Sequence, residues 1–148
     1  MRMDQKLDAR WGITAVRVMM GVILIVAGVQ KWIGGIGGTI GFFASLGIPA
    51  APVLGPVIAA GEVVGGLLIL LGVRSHLVAL WFVAEFIVAA FVAKLPHTGW
   101  DSARIDLMLL ASSVMLVLSG AGKLSVDDLL GRKTAPVAQL RGSQATAR

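Results

Sequence analysis

The sequence predicts an all-α integral membrane protein, a four-helix bundle with both termini in the cytoplasm and a short interfacial helix in its first outer loop. Apolar residues make up 57% of the 148 positions and charged residues 14%, against roughly 25% charged residues in an average soluble domain. A soluble chain of this length buries at most about 70% of its surface. A mean hydropathy of +0.88 would therefore leave large apolar patches in water. Lipid is the solvent for most of the chain, which excludes a disordered protein and a freely soluble enzyme.

Four apolar segments are long enough to cross a bilayer, because a hydrocarbon core of about 30 Å needs roughly 20 helical residues. A polar segment, residues 1–10, precedes the membrane domain, residues 11–122, and residues 123–148 follow it. We expect the spans to cover about 11–33, 52–71, 75–95 and 104–119.

The connection between the first two spans, 34–51, is rich in glycine and carries no charge. Within it, Phe42, Phe43 and Leu46 stand at helical spacing and are followed by glycine and proline. This pattern predicts a short helix that lies at the membrane interface.

The C-terminal segment contains a second helix signal. Ser125 is followed three residues later by Asp128, which is the spacing of a capping box and predicts a short helix through Leu130. Beyond Arg132 the composition is that of a tail, and no structure is predicted there.

The basic residues are distributed unevenly between the two sides of the predicted bundle. The side that carries the predicted interfacial helix has two, Lys94 and Arg104, or three if Lys31 at the edge of its span is counted. The opposite side has nine: Arg2, Lys6, Arg10, Arg74, Lys123, Arg132, Lys133, Arg141 and Arg148. Because Lys and Arg accumulate in cytoplasmic segments, both termini should be cytoplasmic. The net charge of +5 is then a topology signal rather than a sign of nucleic-acid binding.

Five ionisable residues within the spans or at their edges are the candidate functional residues: Arg17, Lys31, Glu62, Glu85 and Asp106. A charge inside a span costs about 2.5–3.5 kcal/mol on insertion scales. Arg17 and Lys31 are two heptads apart and face the same way. Polar residues on the other spans also share faces with small residues, which indicates a bundle interior whose glycines allow neighbouring helices to approach closely.

Depth along the helices predicts two ion pairs, Arg17 with Glu62 and Lys31 with Asp106. Glu85 then lies near the midplane with no partner except a shared Arg17. Two interpretations stay open. The pairs can serve only to fix helix register and orientation, or Arg17, Glu62 and Glu85 can handle protons or contact the polar head group of a ligand.

Several kinds of chemistry are excluded by the sequence. It contains no cysteine, so thiol exchange and thiolate metal sites are ruled out. His97 with Asp101 does not make a metal site, and His76 is expected at the interface. With no catalytic triad or dinucleotide fingerprint, the chain has no catalytic centre that acts alone, no metal and no covalently bound cofactor, and its catalytic residues stay unidentified.

Taken in order, several features resemble the DoxX family of small four-span bacterial membrane proteins. The first span contributes Arg17, Gly21, Gly28 and Lys31, and the first loop contributes the run Phe43 to Pro49. The second span contributes Glu62 with Gly65 and Gly66, followed by Leu71 and Gly72, and the C-terminal segment contributes the run Gly120 to Asp127. The resemblance covers about residues 11–128. It implies a multi-pass protein of the bacterial cytoplasmic membrane.

The family is similar to the membrane subunit of a thiosulfate:quinone oxidoreductase, so the resemblance implies links to membrane redox complexes. By the same resemblance Arg17 and Glu62 match buried polar positions of the family, and Asp106 matches an acidic position in the fourth span. Glu85 matches no family position.

Three functions are consistent with these features. The first is an accessory or anchor subunit of a membrane redox complex that contributes to a quinone pocket near Glu62 or Glu85. The second is a structural scaffold in a larger membrane complex, and the third is a small proton-coupled transporter. The expected partners are the lipid bilayer and other membrane subunits or a second copy of the chain, without nucleic acid.

Overall fold

The computed structural model describes residues 9–129, and all regular secondary structure within them is helical. Four of its helices are long and apolar enough to cross a membrane, which confirms the predicted all-α class with four spans. They are the first span Ala9–Ile33, the second span Ala51–Leu71, the third span Ser75–His97 and the fourth span Trp100–Ser119. The predicted N-terminal segment up to residue 8 and the predicted tail from residue 130 lie outside the described residues.

Two short helices accompany the spans. The loop helix, Ile36–Ser45, follows the first span and has no fully buried residue. The second short helix, Val126–Leu129, follows the fourth span. The amide of Asp128 donates to the Ser125 hydroxyl over 3.0 Å, which is the N-terminal cap expected from the sequence.

Glycine ends the second span. Gly72 adopts a left-handed backbone conformation, with φ of 70°, and its amide donates to the carbonyl of Ile69 over 3.0 Å. The next amide, that of Val73, donates to the carbonyl of Leu68 over 2.9 Å. These two bonds satisfy carbonyls that the helix end would otherwise leave unpaired. The turn that follows is therefore tight, and the third span begins at Ser75.

The first and second spans pack through glycines at very short range. A Cβ added at Gly28 would lie 2.6 Å from Val63 Cγ2, and one added at Gly66 would lie 2.8 Å from Leu24 Cβ. Gly21 faces Leu70 just as closely, at 2.8 Å. The predicted close approach at Gly21 and Gly28 is thus confirmed, since only a residue without a side chain fits there.

The third and fourth spans form the other closely packed pair of the bundle. Their core contains Phe82 and Phe86, whose rings stack with centroids 5.8 Å apart. Leu109 and Leu116 of the fourth span join this core, together with Leu24 of the first span. The first pair of spans meets the second pair in fewer places, which leaves room between the two pairs at the loop-helix end of the bundle.

At the opposite end, residues 120–129 fold back across the bundle and form what we call the C-terminal clasp. The amide of Lys123 donates to the Thr14 hydroxyl over 2.8 Å. The Asp127 carboxylate accepts from the amides of Arg74 and Ser75, at the start of the third span, over 3.0 and 3.2 Å. The clasp thereby connects the first, third and fourth spans, and it places both ends of the described chain on one side of the bundle.

Replacement of Gly72 by alanine should destabilise the protein. The left-handed backbone alone costs a residue with a side chain about 1–2 kcal/mol, and the new Cβ would overlap Arg17 Nη1 and Ser125. Denaturation in mild detergent measures the change in the free energy of unfolding. Gly37→Ala is the control, because nothing lies within 4 Å of a Cβ at that loop-helix position. Equal stability of the two variants would contradict the proposed packing of the clasp.

Candidate ligand-binding site

A cavity of about 660 Å³ lies between the two pairs of spans, beneath the loop helix. Its volume falls within the range of small-molecule sites in proteins, roughly 300–1,000 Å³. Apolar side chains form most of the wall, among them Phe42 and Phe43 of the loop helix and Phe86 of the third span. Five ionisable side chains also line it: Lys31, Glu62, Glu85, Lys94 and Asp106.

The first charged pair of the cavity joins the first two spans. The ammonium group of Lys31 contacts the Glu62 carboxylate. Glu62 is almost fully buried, with 8% of its side chain exposed, while Lys31 keeps 29% exposed. Removal of either partner would leave a charge in a medium that solvates it poorly.

The second charged pair joins the third and fourth spans. Lys94 Nζ lies 2.7 Å from Asp106 Oδ2. The two groups form an ion pair, but their geometry is not that of a hydrogen bond. Here too the carboxylate is the buried partner, with 8% of the Asp106 side chain exposed against 32% for Lys94. One ion pair therefore joins the first and second spans and the other joins the third and fourth spans, and both ion pairs face one cavity.

Lys94 belongs to an unusual stretch of the third span. Residues Val88–Lys94 form a π-helix within an otherwise α-helical span, and π-helical turns occur often at functional sites. Val88, Ala89, Ala93 and Lys94 of this stretch line the cavity. The local widening of the helix thus coincides with the site.

Glu85 has a different environment from the other two carboxylates. Trp81, one turn earlier on the same helix, donates its indole N–H to Glu85 Oε2 over 3.0 Å. The lining residues Trp81 and Val88 are about half exposed on the outside of the bundle, at 52% and 50%. The cavity therefore reaches the lipid-facing surface along this side of the third span.

The predicted ion pairs are wrong in their partners. Arg17 was expected to bind Glu62, but it is 1% exposed and donates through Nη2 to the Leu124 carbonyl of the clasp over 2.9 Å. Lys31 was expected to bind Asp106, but it binds Glu62. Arg17 also packs against Gly72, which is ten residues from Glu62 along the second span, or about 15 Å at 1.5 Å per residue. That distance is too great for the arginine side chain.

The direction of side chains on a helix explains the observed pairs, because side chains tilt toward the N-terminus of their own helix. Arg17, on the first span, tilts toward the clasp and away from the midplane. Lys31 tilts from the far end of the same span toward the midplane, while Glu62, on the antiparallel second span, tilts up to meet it. Lys94 and Asp106 meet in the same way on the other two spans.

The structure therefore gathers Glu62, Glu85, Lys31 and Asp106 at one cavity and separates Arg17 from them. Sequence reasoning missed Lys94 and Trp81. Trp81 stands four residues before Glu85, a spacing at which side chains on a helix meet. Lys94 and Asp106 stand at similar distances from the loop that joins the third and fourth spans, and this similar depth in the bundle was the signal in the sequence that could have predicted their pairing.

The arrangement can bind a flat, amphipathic molecule with a polar head. Lys31 and Lys94 offer hydrogen-bond donors, and the aromatic side chains offer apolar contact. Among residues 9–129, no group of three or more His, Asp or Glu side chains could hold a metal ion.

Comparison with known proteins agrees with the sequence and the fold. The sequence model of the DoxX family matches residues 12–95. A Bacillus subtilis protein named "Putative oxidoreductase CatD" is 35% identical over 128 residues, which cover 85% of this chain and 93% of that protein. No solved structure matches the chain.

Two further relatives are named as membrane proteins. The "Uncharacterized membrane protein Rv3486" of Mycobacterium tuberculosis is 27% identical, with 82% of each chain covered. The "Inner membrane protein YqjF" of Escherichia coli is 29% identical, with 82% of this chain and 94% of that protein covered. The expected resemblance and the expected location in a bacterial membrane, as a multi-pass protein, are confirmed.

Lys31→Met should destabilise the protein more than the double change Lys31→Met with Glu62→Met. The single change leaves Glu62 buried without its ammonium partner, and we expect a loss of about 3 kcal/mol, the lower end for breaking a buried pair. The double change removes both charges and should recover most of that loss. Denaturation in mild detergent provides the measurement.

Arg104→Gln is the control for this series, because it removes an exposed ion pair with Asp101, with 60% and 87% of the side chains exposed. Such pairs contribute at most about 1 kcal/mol. If Glu62→Met rescued Arg17→Met instead of Lys31→Met, the pairing described above would be refuted.

Proposed function

The chain belongs to the DoxX family, and on that premise we propose that it is a membrane subunit of a quinone-linked oxidoreductase complex. In this proposal the cavity between the two pairs of spans holds the head group of a membrane quinone. The single observation that carries the proposal is this cavity, which combines apolar aromatic walls, charged side chains and an opening on the lipid-facing surface.

The residues of the cavity fit a quinone head group. A quinone ring is flat and apolar and carries two carbonyl acceptors, which require hydrogen-bond donors. An ammonium group has three N–H groups, so Lys31 keeps donors beyond the one that Glu62 accepts. Lys94, whose contact with Asp106 is ionic, has N–H groups for a ligand as well. Phe42, Phe43 and Phe86 offer ring faces for the apolar part.

A bound quinone supplies two-electron, two-proton chemistry, and the chain's own residues have narrower tasks. Lys31 and Lys94 bind and orient the carbonyl oxygens. Glu62 provides a carboxyl group beside the head group that can hold a proton. The apolar loop helix covers the cavity and keeps water from it.

In this proposal the electrons come from a partner protein. The sequence has no cysteine with which to exchange electrons. Residues 9–129 bring together no set of three metal-ligating side chains. The name of the Bacillus subtilis relative, a putative oxidoreductase, is consistent with a role in redox chemistry.

A short-tailed quinone should quench the fluorescence of Trp81. A variant that keeps only this tryptophan is made by replacing Trp11, Trp32 and Trp100 with phenylalanine, and all three are exposed. In lipid nanodiscs, decyl-ubiquinone or an equivalent menaquinone analogue should quench Trp81 with saturation. Lys31→Met and Lys94→Met, each in that variant, should weaken binding about tenfold, because hydrogen bonds to charged groups contribute about 1.5–3 kcal/mol.

A second variant that keeps only Trp11, at the clasp end of the first span, is the matched control. It should show linear quenching by quinone dissolved in the lipid. Equal, non-saturating quenching of both variants would refute the quinone site.

The subunit role predicts a cofactor-bearing partner. The tagged protein, purified from its native membrane in mild detergent, should carry a partner in stoichiometric amount, with flavin, haem or metal visible in the absorption spectrum and in mass spectrometry. A colourless, homogeneous species would contradict the subunit role. Proton-coupled uptake in liposomes would then test the transporter alternative, and Glu62→Gln would be the variant expected to abolish uptake.

A further inference from the structure

We infer that Glu85, held by Trp81, determines the specificity of the cavity and favours a head group that donates a hydroxyl hydrogen bond, such as the reduced quinol, over one that only accepts. The inference rests on the proposed function, because it concerns the ligand of the same cavity.

Among the carboxylates that line the cavity, Glu85 stands apart in its partners. Glu62 contacts the ammonium group of Lys31, and Asp106 contacts that of Lys94. Glu85 accepts from the indole N–H of Trp81 through Oε2, and none of the described residues donates to Oε1. One carboxylate oxygen at the cavity is thus left as an acceptor for a ligand.

A purely structural role does not account for this carboxylate. The Lys31–Glu62 and Lys94–Asp106 pairs each join two spans, so they fix how helices lie against one another. The Trp81–Glu85 bond lies within one helix, one turn apart, and fixes no such relation. An acidic group near the middle of a span is nevertheless costly in lipid, so its presence indicates a polar partner that comes from outside the chain.

The place of the pair in the cavity indicates which ligands meet it. Trp81, Ala84 and Val88 line the cavity and are exposed on the outside of the bundle. A molecule that enters from the bilayer on this side meets Glu85 next to the exposed Trp81 and Val88. Its head then finds this carboxylate acceptor at the entrance and the ammonium donors of Lys31 and Lys94 elsewhere on the cavity wall, while its tail stays in lipid.

The carboxylate acceptor and the ammonium donors distinguish ligand groups that donate a hydrogen bond from those that only accept one. A hydroxyl at the entrance donates to Glu85 Oε1, whereas a carbonyl or ether oxygen there faces a carboxylate oxygen without a hydrogen between them. Leaving a polar atom unpaired in a dry site is expensive. Trp81 is the positioning residue in this scheme, because its N–H holds Oε2 and so turns Oε1 toward the ligand.

The test uses two redox-inert probes that differ by one methyl group, 4-nonylphenol and 4-nonylanisole. Both are measured in nanodiscs by displacement of radiolabelled decyl-ubiquinone, a readout that does not depend on Trp81. The wild-type protein should bind the phenol at least tenfold more tightly than the anisole, because a hydrogen bond to a charged acceptor is among the stronger ones. In Glu85→Leu the ratio should fall to about one, and in Glu85→Gln, where a neutral oxygen accepts, it should lie between the two.

Trp81→Phe tests the positioning role. It should lower the phenol-to-anisole ratio several-fold without lowering the midpoint of thermal unfolding, since the bond it removes lies within one helix and a phenyl ring keeps most of the packing. Trp100→Phe is the matched control, because Trp100 is 64% exposed and does not line the cavity. Its ratio should equal that of the wild type.

The outcomes separate the two proposals. If decyl-ubiquinone binds but the wild type does not prefer the phenol, or if Glu85→Leu leaves the preference unchanged, the inference about Glu85 is wrong and the quinone site stands. If neither decyl-ubiquinone nor the nonyl probes bind the wild type, both are wrong.

Discussion

A charged side chain inside a bilayer has to find its partner within the protein and at its own depth. Water is absent there, so a mismatch of a few ångströms leaves a charge in hydrocarbon. In this bundle the charged side chains find their partners at two different depths. Lys31 with Glu62 and Lys94 with Asp106 pair near the loop helix, while Arg17 pairs with a backbone carbonyl near the termini. The direction in which side chains leave a helix sets these depths, because lysines at the far end of the first and third spans tilt back toward the carboxylates of antiparallel neighbours.

The two ends of the bundle consequently differ in kind. At the clasp end, Arg17, Thr14 and Asp127 bind backbone groups of other segments, and a glycine at position 72 leaves the room that Arg17 needs. This end is closed and holds the spans in place. At the other end the polar groups are side chains that face one cavity, and the π-helical stretch of the third span contributes Lys94 to it. The clasp end is thus held by hydrogen bonds to backbone groups, whereas the charged side chains of the other end both join the spans and face the proposed ligand site.

The cavity itself follows from unequal packing among the four spans. Glycines at positions 21, 28 and 66 bring the first and second spans into backbone contact, and the third and fourth spans form the other closely packed pair. Two tight pairs that meet each other less closely leave a space between them, and the loop helix covers it without being buried itself. Since each pair brings one lysine and one buried carboxylate, the space acquires two ion pairs. Glu85 adds the carboxylate that no ammonium group in the cavity contacts.

Composition, helical period and motifs were enough to establish the class of solvent, the number of spans, the family and the polar residues that face the interior. These follow from composition and helical period, which depend on each segment alone. The sequence also located the Ser125 cap and the glycines at which helices approach. Partner choice was decided only by the tertiary structure. Whether Glu62 meets Arg17 or Lys31 depends on how far neighbouring helices slide past each other and on the opposite tilt of side chains on antiparallel helices, and neither quantity is encoded in the period of one segment. For the same reason Lys94 and Trp81 became visible as site residues only once the four spans were packed together.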